Sequence, residues 1–137
     1  MGYENKKEPY VYVQTLSEIY KFTKPILQLA RQDISSYNLA GNIIRSDEWP
    51  LPWILRDFRR IAYYNFTSKP REYDTDFLLV ESKRIPEVED KLKGKYFTDT
   101  LVMRDAQDFS KAYFSYEKFK DIFLGRHADF TGGKKPI

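Results

Sequence analysis

The amino-acid sequence predicts an α/β fold, a three-layer domain with a mostly parallel sheet, helices on both faces and a C-terminal antiparallel hairpin. Strand-like and helix-like segments alternate through about the first hundred residues, and this alternation is typical of parallel strands joined by crossover helices. The chain has 137 residues, of which 42% are hydrophobic and 17% aromatic. That length fits one domain, and the rings can fill its core.

The composition excludes several classes of site. The chain has no Cys and one His, which excludes a disulfide scaffold, a thiolate zinc site and a multi-histidine metal site. No cofactor or metal is expected. The net charge of +3 is small and mixed along the chain, so no nucleic-acid partner is expected. No apolar run approaches the ~20 residues of a membrane span, and we expect this chain itself to be soluble.

The first elements are predicted from local residue preference. The β-forming residues at 10–13 predict a strand. Thr15 and Glu18 have the spacing of a capping box, so a helix is expected to begin there. Apolar residues then recur at helical spacing, and Pro25 is expected to kink this helix or divide it. Gly41 is expected to act as a helix-stop residue.

The middle of the chain predicts three strands, at 42–45, 61–64 and 76–81. Between the first two, prolines 50 and 52 suit the first turn of a short helix that reaches about Phe58. The continuous apolar run of the third strand predicts burial on both of its faces.

The C-terminal third predicts a short helix at 86–92, ended at Gly94, and an antiparallel hairpin formed by 101–104 and 112–116. An amphipathic helix is expected at 117–124. The resulting domain organisation is a leader or linker at 1–9, a single α/β domain at 10–124 and a flexible tail at 125–137.

The segment 47–57 is the strongest candidate for a binding site. It follows the strand at 42–45, and open α/β sheets bind ligands beyond the carboxyl ends of their strands. The candidate residues are Asp47, Glu48, Trp49, Trp53 and Arg56. Indole faces stack on the apolar faces of sugars, while carboxylates and guanidinium groups bind hydroxyls or phosphate. The competing interpretation is that both tryptophans pack the helix onto the sheet and that the arginine pairs locally with a carboxylate.

Two further patterns carry weaker predictions. Asp74 and Asp76 form a carboxylate pair, which turn preferences favour as turn residues rather than as acid–base or cation-binding groups. The same holds for the segment 105–108. His127 and Asp129 have the types of a catalytic dyad, but no candidate nucleophile accompanies them. No catalytic residue is therefore assigned.

The motif W-P-L-P-W-I-L-R at 49–56 resembles one in the soluble C-terminal domain of GT-C membrane glycosyltransferases. The most similar group is related to protein mannosyltransferases (glycosyltransferase family 39-like) and includes the archaeal flippase activity-associated proteins. Ile54 stands where an aromatic residue is common in that motif, which weakens any stacking or hydroxyl role at this position.

The order of elements around the motif also resembles that family, over about residues 10 to 116. A long helix precedes the motif, and a strand with tyrosines follows it. The similar segments are 10–15, 43–44, 63–64 and 77–80.

The resemblance implies an extracytoplasmic domain, on the periplasmic side or the cell surface. Such enzymes transfer a sugar from a polyprenyl-phosphate donor, and their catalytic carboxylate lies between membrane helices that are absent here. This chain would be non-catalytic, would associate with the transmembrane part of the same enzyme, and would bind a glycan or polyprenyl-phosphate sugar through the five candidate residues.

Two alternatives remain open at this point. The first is a stand-alone small α/β enzyme acting at the strand ends, for which Asp47 or Glu48 is the candidate base. The second is a weakly basic RNA-binding module built on Arg56, Arg59 and Arg60, beside aromatic residues. Neighbouring acidic residues dilute that basic cluster.

Overall fold

The computed structural model describes residues 9–46, 51–65, 68–102 and 109–132, with side chains from Leu16 onward. They form a six-stranded mixed sheet with helices on both faces, as an α/β fold requires. The helices are α1 (Pro9–Gln32), α2 (Leu51–Ile54), α3 (Ile85–Lys91) and α4 (Tyr116–Phe119), with 3-10 turns at Ile34–Asn38 and Ser82–Arg84. The strands are β1 (Ala40–Ile44), β2 (Arg60–Tyr63), β3 (Phe77–Glu81), β4 (Lys95–Val102), β5 (Phe109–Ser115) and β6 (Phe130–Thr131).

The sheet is mixed, so the expectation of a mostly parallel sheet is wrong. The strand order is β2-β1-β3-β5-β4-β6. β1 pairs in parallel with β2 and β3, whereas β5 pairs antiparallel with both β3 and β4. β4 therefore runs in the same direction as β3, as a crossover through α3 predicts. The C-terminal hairpin is present as expected and consists of β4 and β5. Its second strand, β5, lies between β3 and β4, so β3 and β4 do not pair with each other and each pairs antiparallel with β5.

The first element is a helix where a strand and a capping box were expected. α1 already includes residues 10–15, so Thr15 lies inside the helix and does not begin it. A strand here would need a neighbouring strand to pair its backbone groups, whereas a helix satisfies them internally. The helix also continues through Pro25 without dividing. Burial of Phe22 and Ile26 on either side of the proline offsets the one missing backbone hydrogen bond.

Gly41 lies inside β1 and does not stop a helix. α1 ends at Gln32, and the Asp33 carboxylate then accepts the backbone amide of Ser35 and caps the start of the 3-10 turn, which itself ends at Asn38 before β1 begins. A Cβ atom on Gly41 would lie 2.1 Å from Cε1 of Phe77. The buried Phe77 ring therefore occupies the space that a side chain would need, and only glycine fits there.

The sheet separates two apolar layers. One layer joins α1, α2 and α4 to the face of the sheet that carries Phe77 and Phe114, and the other joins α3 to the opposite face. All four apolar residues of β3 are fully buried, which confirms the expected burial on both faces. α2 ends at Ile54, earlier than expected, and α4 has only four residues, not the predicted eight.

The segment expected to be a flexible tail contributes a strand. β6 pairs antiparallel with β4 through Lys95 and Tyr96. The close approach depends on Gly132, where a Cβ atom would lie 2.1 Å from the carbonyl oxygen of Leu92. The tail expectation is wrong for 130–131. Residues 1–8 of the expected leader and residues 133–137 lie outside the described residues, and Pro9 belongs to α1.

Side chains cover the outer edge of β4 beyond β6, which we call the β4 edge (Thr98, Thr100 and Val102). The Asp129 carboxylate accepts the Thr98 amide, and Arg126 donates to the Thr98 carbonyl. The amides of Thr100 and Val102 donate to the carboxylates of Asp99 and Glu18, and Lys21 donates to the Thr100 carbonyl. Charged side chains that occupy backbone groups in this way oppose pairing with a further strand.

Candidate functional site

Trp53 and Arg56 form an exposed pair on α2 and the turn that follows it. The Trp53 side chain is 67% exposed. The Arg56 guanidinium carbon lies 5.3 Å from the indole ring centroid, and its Nη1 donates to the Trp53 carbonyl at 3.1 Å. Leu51 and Leu55 instead anchor this segment in the core. The alternative in which Trp53 packs onto the sheet is therefore wrong, because the leucines occupy that role.

The other three predicted binding residues fall in a segment that the structure does not describe. Asp47, Glu48 and Trp49 lie outside the described residues, as does the segment 105–108. Of the five predicted binding residues, the structure thus brings Trp53 and Arg56 together.

The carboxyl ends of β1 and β3 meet in a hydrogen-bonded pair. The Ser46 amide and hydroxyl both donate to Glu81 Oε1, at 2.9 and 2.8 Å. Burial alone would raise the pKa of the Glu81 carboxyl, but these hydrogen bonds and the charges of Lys83 and Arg45 lower it overall. Glu81 is therefore ionised at neutral pH. Sequence reasoning did not single out this pair, although both residues stand at predicted strand ends.

A cleft of about 750 Å³ lies at the opposite, amino end of the parallel strands. Its acidic lining residues are Glu72, Asp74, Asp76 and Glu117, and its basic lining residues are Arg60, Lys93 and Lys95. β4 begins and β5 ends at this same side, because β4 shares the direction of β3 and β5 opposes it. The rule that places ligands at carboxyl ends directed sequence reasoning away from this cleft.

Part of the cleft lining has a structural role. Asp74 Oδ1 accepts hydrogen bonds from the Lys93 and Gly94 amides, both at 3.0 Å, and from the Tyr96 hydroxyl at 2.6 Å. Burial raises the pKa of Tyr96, and the hydrogen bond to Asp74 raises it further. The Asp76 carboxylate accepts the Ala40 amide at 2.9 Å. Both aspartates therefore join loop to strand, in line with their interpretation as turn residues.

His127 does not share Asp129 in a dyad-like arrangement. The Asp129 carboxylate accepts from the Arg126 guanidinium at 2.5 Å and from the Thr98 amide at 2.9 Å. The Asp129 carboxylate therefore covers the β4 edge at Thr98 and does not orient the His127 imidazole.

Neither a metal centre nor a membrane span is found in the part of the chain that the structure describes. Within it, no group of three or more His, Cys, Asp or Glu side chains is placed to hold a metal ion. None of its helices has both the length and the apolar character needed to cross a bilayer.

Comparison with known proteins gives no relative. No family model, no curated protein sequence and no solved structure matches this chain.

Proposed function

We propose that this chain is a non-catalytic domain of a membrane-bound glycosyltransferase, and that it binds a glycan or a polyprenyl-phosphate sugar through Trp53 and Arg56. The observation that carries the proposal is the exposed indole of Trp53 with the Arg56 guanidinium over its ring. Leu51 and Leu55 already anchor this segment in the core, so the fold does not use the Trp53 indole for packing and the ring is open to a ligand.

The pair has the chemistry that such a ligand needs. The apolar indole face suits the C–H face of a pyranose ring. Arg56 uses one nitrogen for the Trp53 carbonyl, and a guanidinium has five N–H donors, so others remain for sugar hydroxyls or a phosphate. The bond to the Trp53 carbonyl also holds the guanidinium beside the ring, which lowers the entropy lost on binding.

The element order around the motif supports the glycosyltransferase part of the proposal. β1, α2, β2 and β3 follow one another around the segment 49–56 as the family resemblance implies. The first element differs, because residues 10–15 are helical where the resemblance implies a strand. Under this proposal the domain lies on the extracytoplasmic face, and its partner is the transmembrane part that performs sugar transfer.

The test is a fluorescence titration with a water-soluble donor analogue, such as citronellyl phosphate carrying mannose or glucose. A Trp49→Phe variant makes Trp53 the sole tryptophan, so a saturable change in emission reports on that site. We expect Trp53→Ala to weaken binding at least ~10-fold, a loss of about 1.4 kcal/mol of binding free energy. Because this variant lacks the fluorescent side chain, its affinity is measured by calorimetry. Arg56→Gln should weaken binding of the phosphate-bearing ligand more than that of the free sugar.

Tyr20 supplies the matched control. It is a second exposed aromatic, 54% exposed, with the Lys24 ammonium 5.9 Å from its ring centroid. Tyr20→Ala should leave the affinity unchanged. Equal losses in the Tyr20 and Trp53 variants, or a folded Trp53→Ala domain that binds as well as the parent, would refute the proposed site.

A further inference from the structure

The cleft at the amino end of the parallel strands has a polar lining that the fold does not fully use. The Glu72 carboxylate and the Lys93 ammonium line it, both residues are exposed, and neither group has a hydrogen-bond or ion-pair partner among the described residues. The Glu72 main chain is nevertheless fixed, since the Asn42 side chain donates to its carbonyl at 2.9 Å. The Glu72 carboxylate is thus available as a hydrogen-bond acceptor and the Lys93 ammonium as a donor, each on a main chain that is fixed by a hydrogen bond.

Aromatic surface lies among these groups. Tyr116 lines the cleft and packs against Phe97, with ring centroids 5.3 Å apart. The Lys95 ammonium lies 5.6 Å from the centroid of the Tyr116 ring. The lining therefore combines a supported ring with hydrogen-bonding groups of both kinds, which is typical of small-molecule sites.

The charge balance selects the class of ligand. Four carboxylates and three basic side chains line the cleft, so neither a polyanion nor a polycation is complementary to it. A neutral molecule with many hydroxyl groups can donate to carboxylates and accept from ammonium groups at once. We infer that this cleft is a second binding site, specific for a neutral saccharide, and that Glu72 and Lys93 hydrogen-bond its hydroxyls.

The choice of a saccharide rests partly on the proposed glycan-binding function, but the site does not. None of the described lining residues belongs to α2. The chain leads from the carboxyl end of β1 into α2, whereas the cleft opens at the amino end of β1. The two sites can therefore be tested separately.

The experiment is a two-dimensional ¹H–¹⁵N titration of the full chain with a panel of neutral disaccharides: mannobiose, maltose, cellobiose and lactose. The amides of Gly94 and Lys95 lie in the cleft wall, so they should shift and saturate with at least one sugar. Glu72→Gln and Lys93→Gln should each weaken that binding ~10-fold, as expected for loss of one hydrogen bond to a charged group. Asp121→Asn, an exposed carboxylate that is not among the lining residues, is the control.

Each outcome separates this inference from the proposed function. Trp53→Ala should leave the Gly94 and Lys95 shifts intact even where it abolishes the binding of the donor analogue that calorimetry measures. Absence of shifts at these amides with every sugar would overturn the second site while leaving the Trp53 site standing. Shifts caused by inorganic phosphate but by no disaccharide would identify an anion site and would also overturn the inference. Unchanged affinity in folded Glu72→Gln and Lys93→Gln variants would do the same.

Discussion

The Glu18 carboxylate accepts a 2.8 Å hydrogen bond from the backbone amide of Val102, which lies 84 residues further along the chain. The same carboxylate forms an ion pair with Lys21 at 2.9 Å, and Lys21 donates to the neighbouring Thr100 carbonyl. One turn of α1 therefore covers the end of the β4 edge and ties the first element of the domain to the far half of the sheet.

Removing Glu18 should cost stability and uncover the strand. We expect Glu18→Ala to lower the free energy of unfolding by about 1 kcal/mol, since the exposed Val102 amide loses its charged acceptor. Urea denaturation measures this loss, and sedimentation velocity detects self-association through the freed edge. Glu117→Ala removes an exposed carboxylate elsewhere and should have neither effect; equal behaviour of the two variants would contradict the role given to Glu18.

Acid should abolish the difference between Glu18 and glutamine. Burial alone would raise the pKa of the Glu18 carboxyl, but hydrogen bonds from Lys21 and Val102 and the charge of Lys21 lower the pKa below its ordinary value. A group with a lowered folded pKa stabilises the fold above its unfolded pKa, and this contribution disappears as the pH falls through the folded pKa. Glu18→Gln should thus be less stable than the parent at pH 6 and equal to it near pH 2.

A methyl group at position 41 should be severely destabilising. Gly41→Ala would drive its Cβ into the buried Phe77 ring, and overpacking of this kind costs about 1–3 kcal/mol. Phe77→Leu should relieve the clash, so the double variant should lose less stability than the sum of the two single losses. Additive losses in chemical denaturation would mean that the ring is not the obstacle.

Two buried tyrosines predict a loss of stability in alkali. Burial raises the pKa of Tyr96 and Tyr113, and their hydrogen bonds to Asp74 and Glu89 raise it further. The folded chain keeps these protons above pH 10 while the unfolded chain releases them, so the free energy of unfolding falls from about pH 10 upward. The expected slope is ~1.4 kcal/mol per pH unit for each tyrosine.

Phenylalanine variants isolate this effect. Tyr113→Phe should remove the contribution of one tyrosine to the alkaline slope, whereas Tyr20→Phe, at an exposed position, should leave the slope unchanged. The free energy of unfolding is measured by chemical denaturation between pH 9 and 11. If it falls with pH as steeply in Tyr113→Phe as in the parent, the buried Tyr113 is not a source of the alkaline loss of stability.

The bond between Ser46 and Glu81 should be measurable by a double-mutant cycle. Ser46→Ala removes one of the two donors to Glu81 Oε1 and should cost about 1 kcal/mol. In a Glu81→Gln background the same substitution should cost less, because the charge that strengthens the bond is gone. Equal costs in both backgrounds would show that the hydroxyl acts elsewhere.

Much of the fold was predictable because its signals are local. The apolar run from Phe77 to Val80 and the short helix ending before Gly94 follow from pattern and stop residues, and both are confirmed. The first element was not predictable from local preference, because Tyr10 and Val11 favour a strand only where a sheet has room for one. The place of β5 between β3 and β4 likewise depends on pairings between distant residues.

The candidate sites also differ in whether local sequence predicts them. Trp53 and Arg56 are three residues apart on one short segment, so their proximity follows from helical spacing. The cleft joins Glu72, Lys93 and Tyr116 from three separate parts of the chain, and no spacing in the sequence relates them. The feature that forms the cleft is the reversed direction of β5, which was predicted as part of a hairpin but not as a neighbour of β3.

The groups that cover the outer side of β4 are synthesised at different times. β4 leaves the ribosome about 30 residues before the segment from Arg126 to Thr131 that occupies its outer side. At ~5–20 residues per second, that strand waits roughly 2–6 s for its own cover. During this interval α1 guards one end of it through Glu18 and Lys21. The nascent chain is therefore most exposed to misassembly with its neighbours on a polysome around Thr98, because both covering groups, Arg126 and Asp129, are made about 30 residues later.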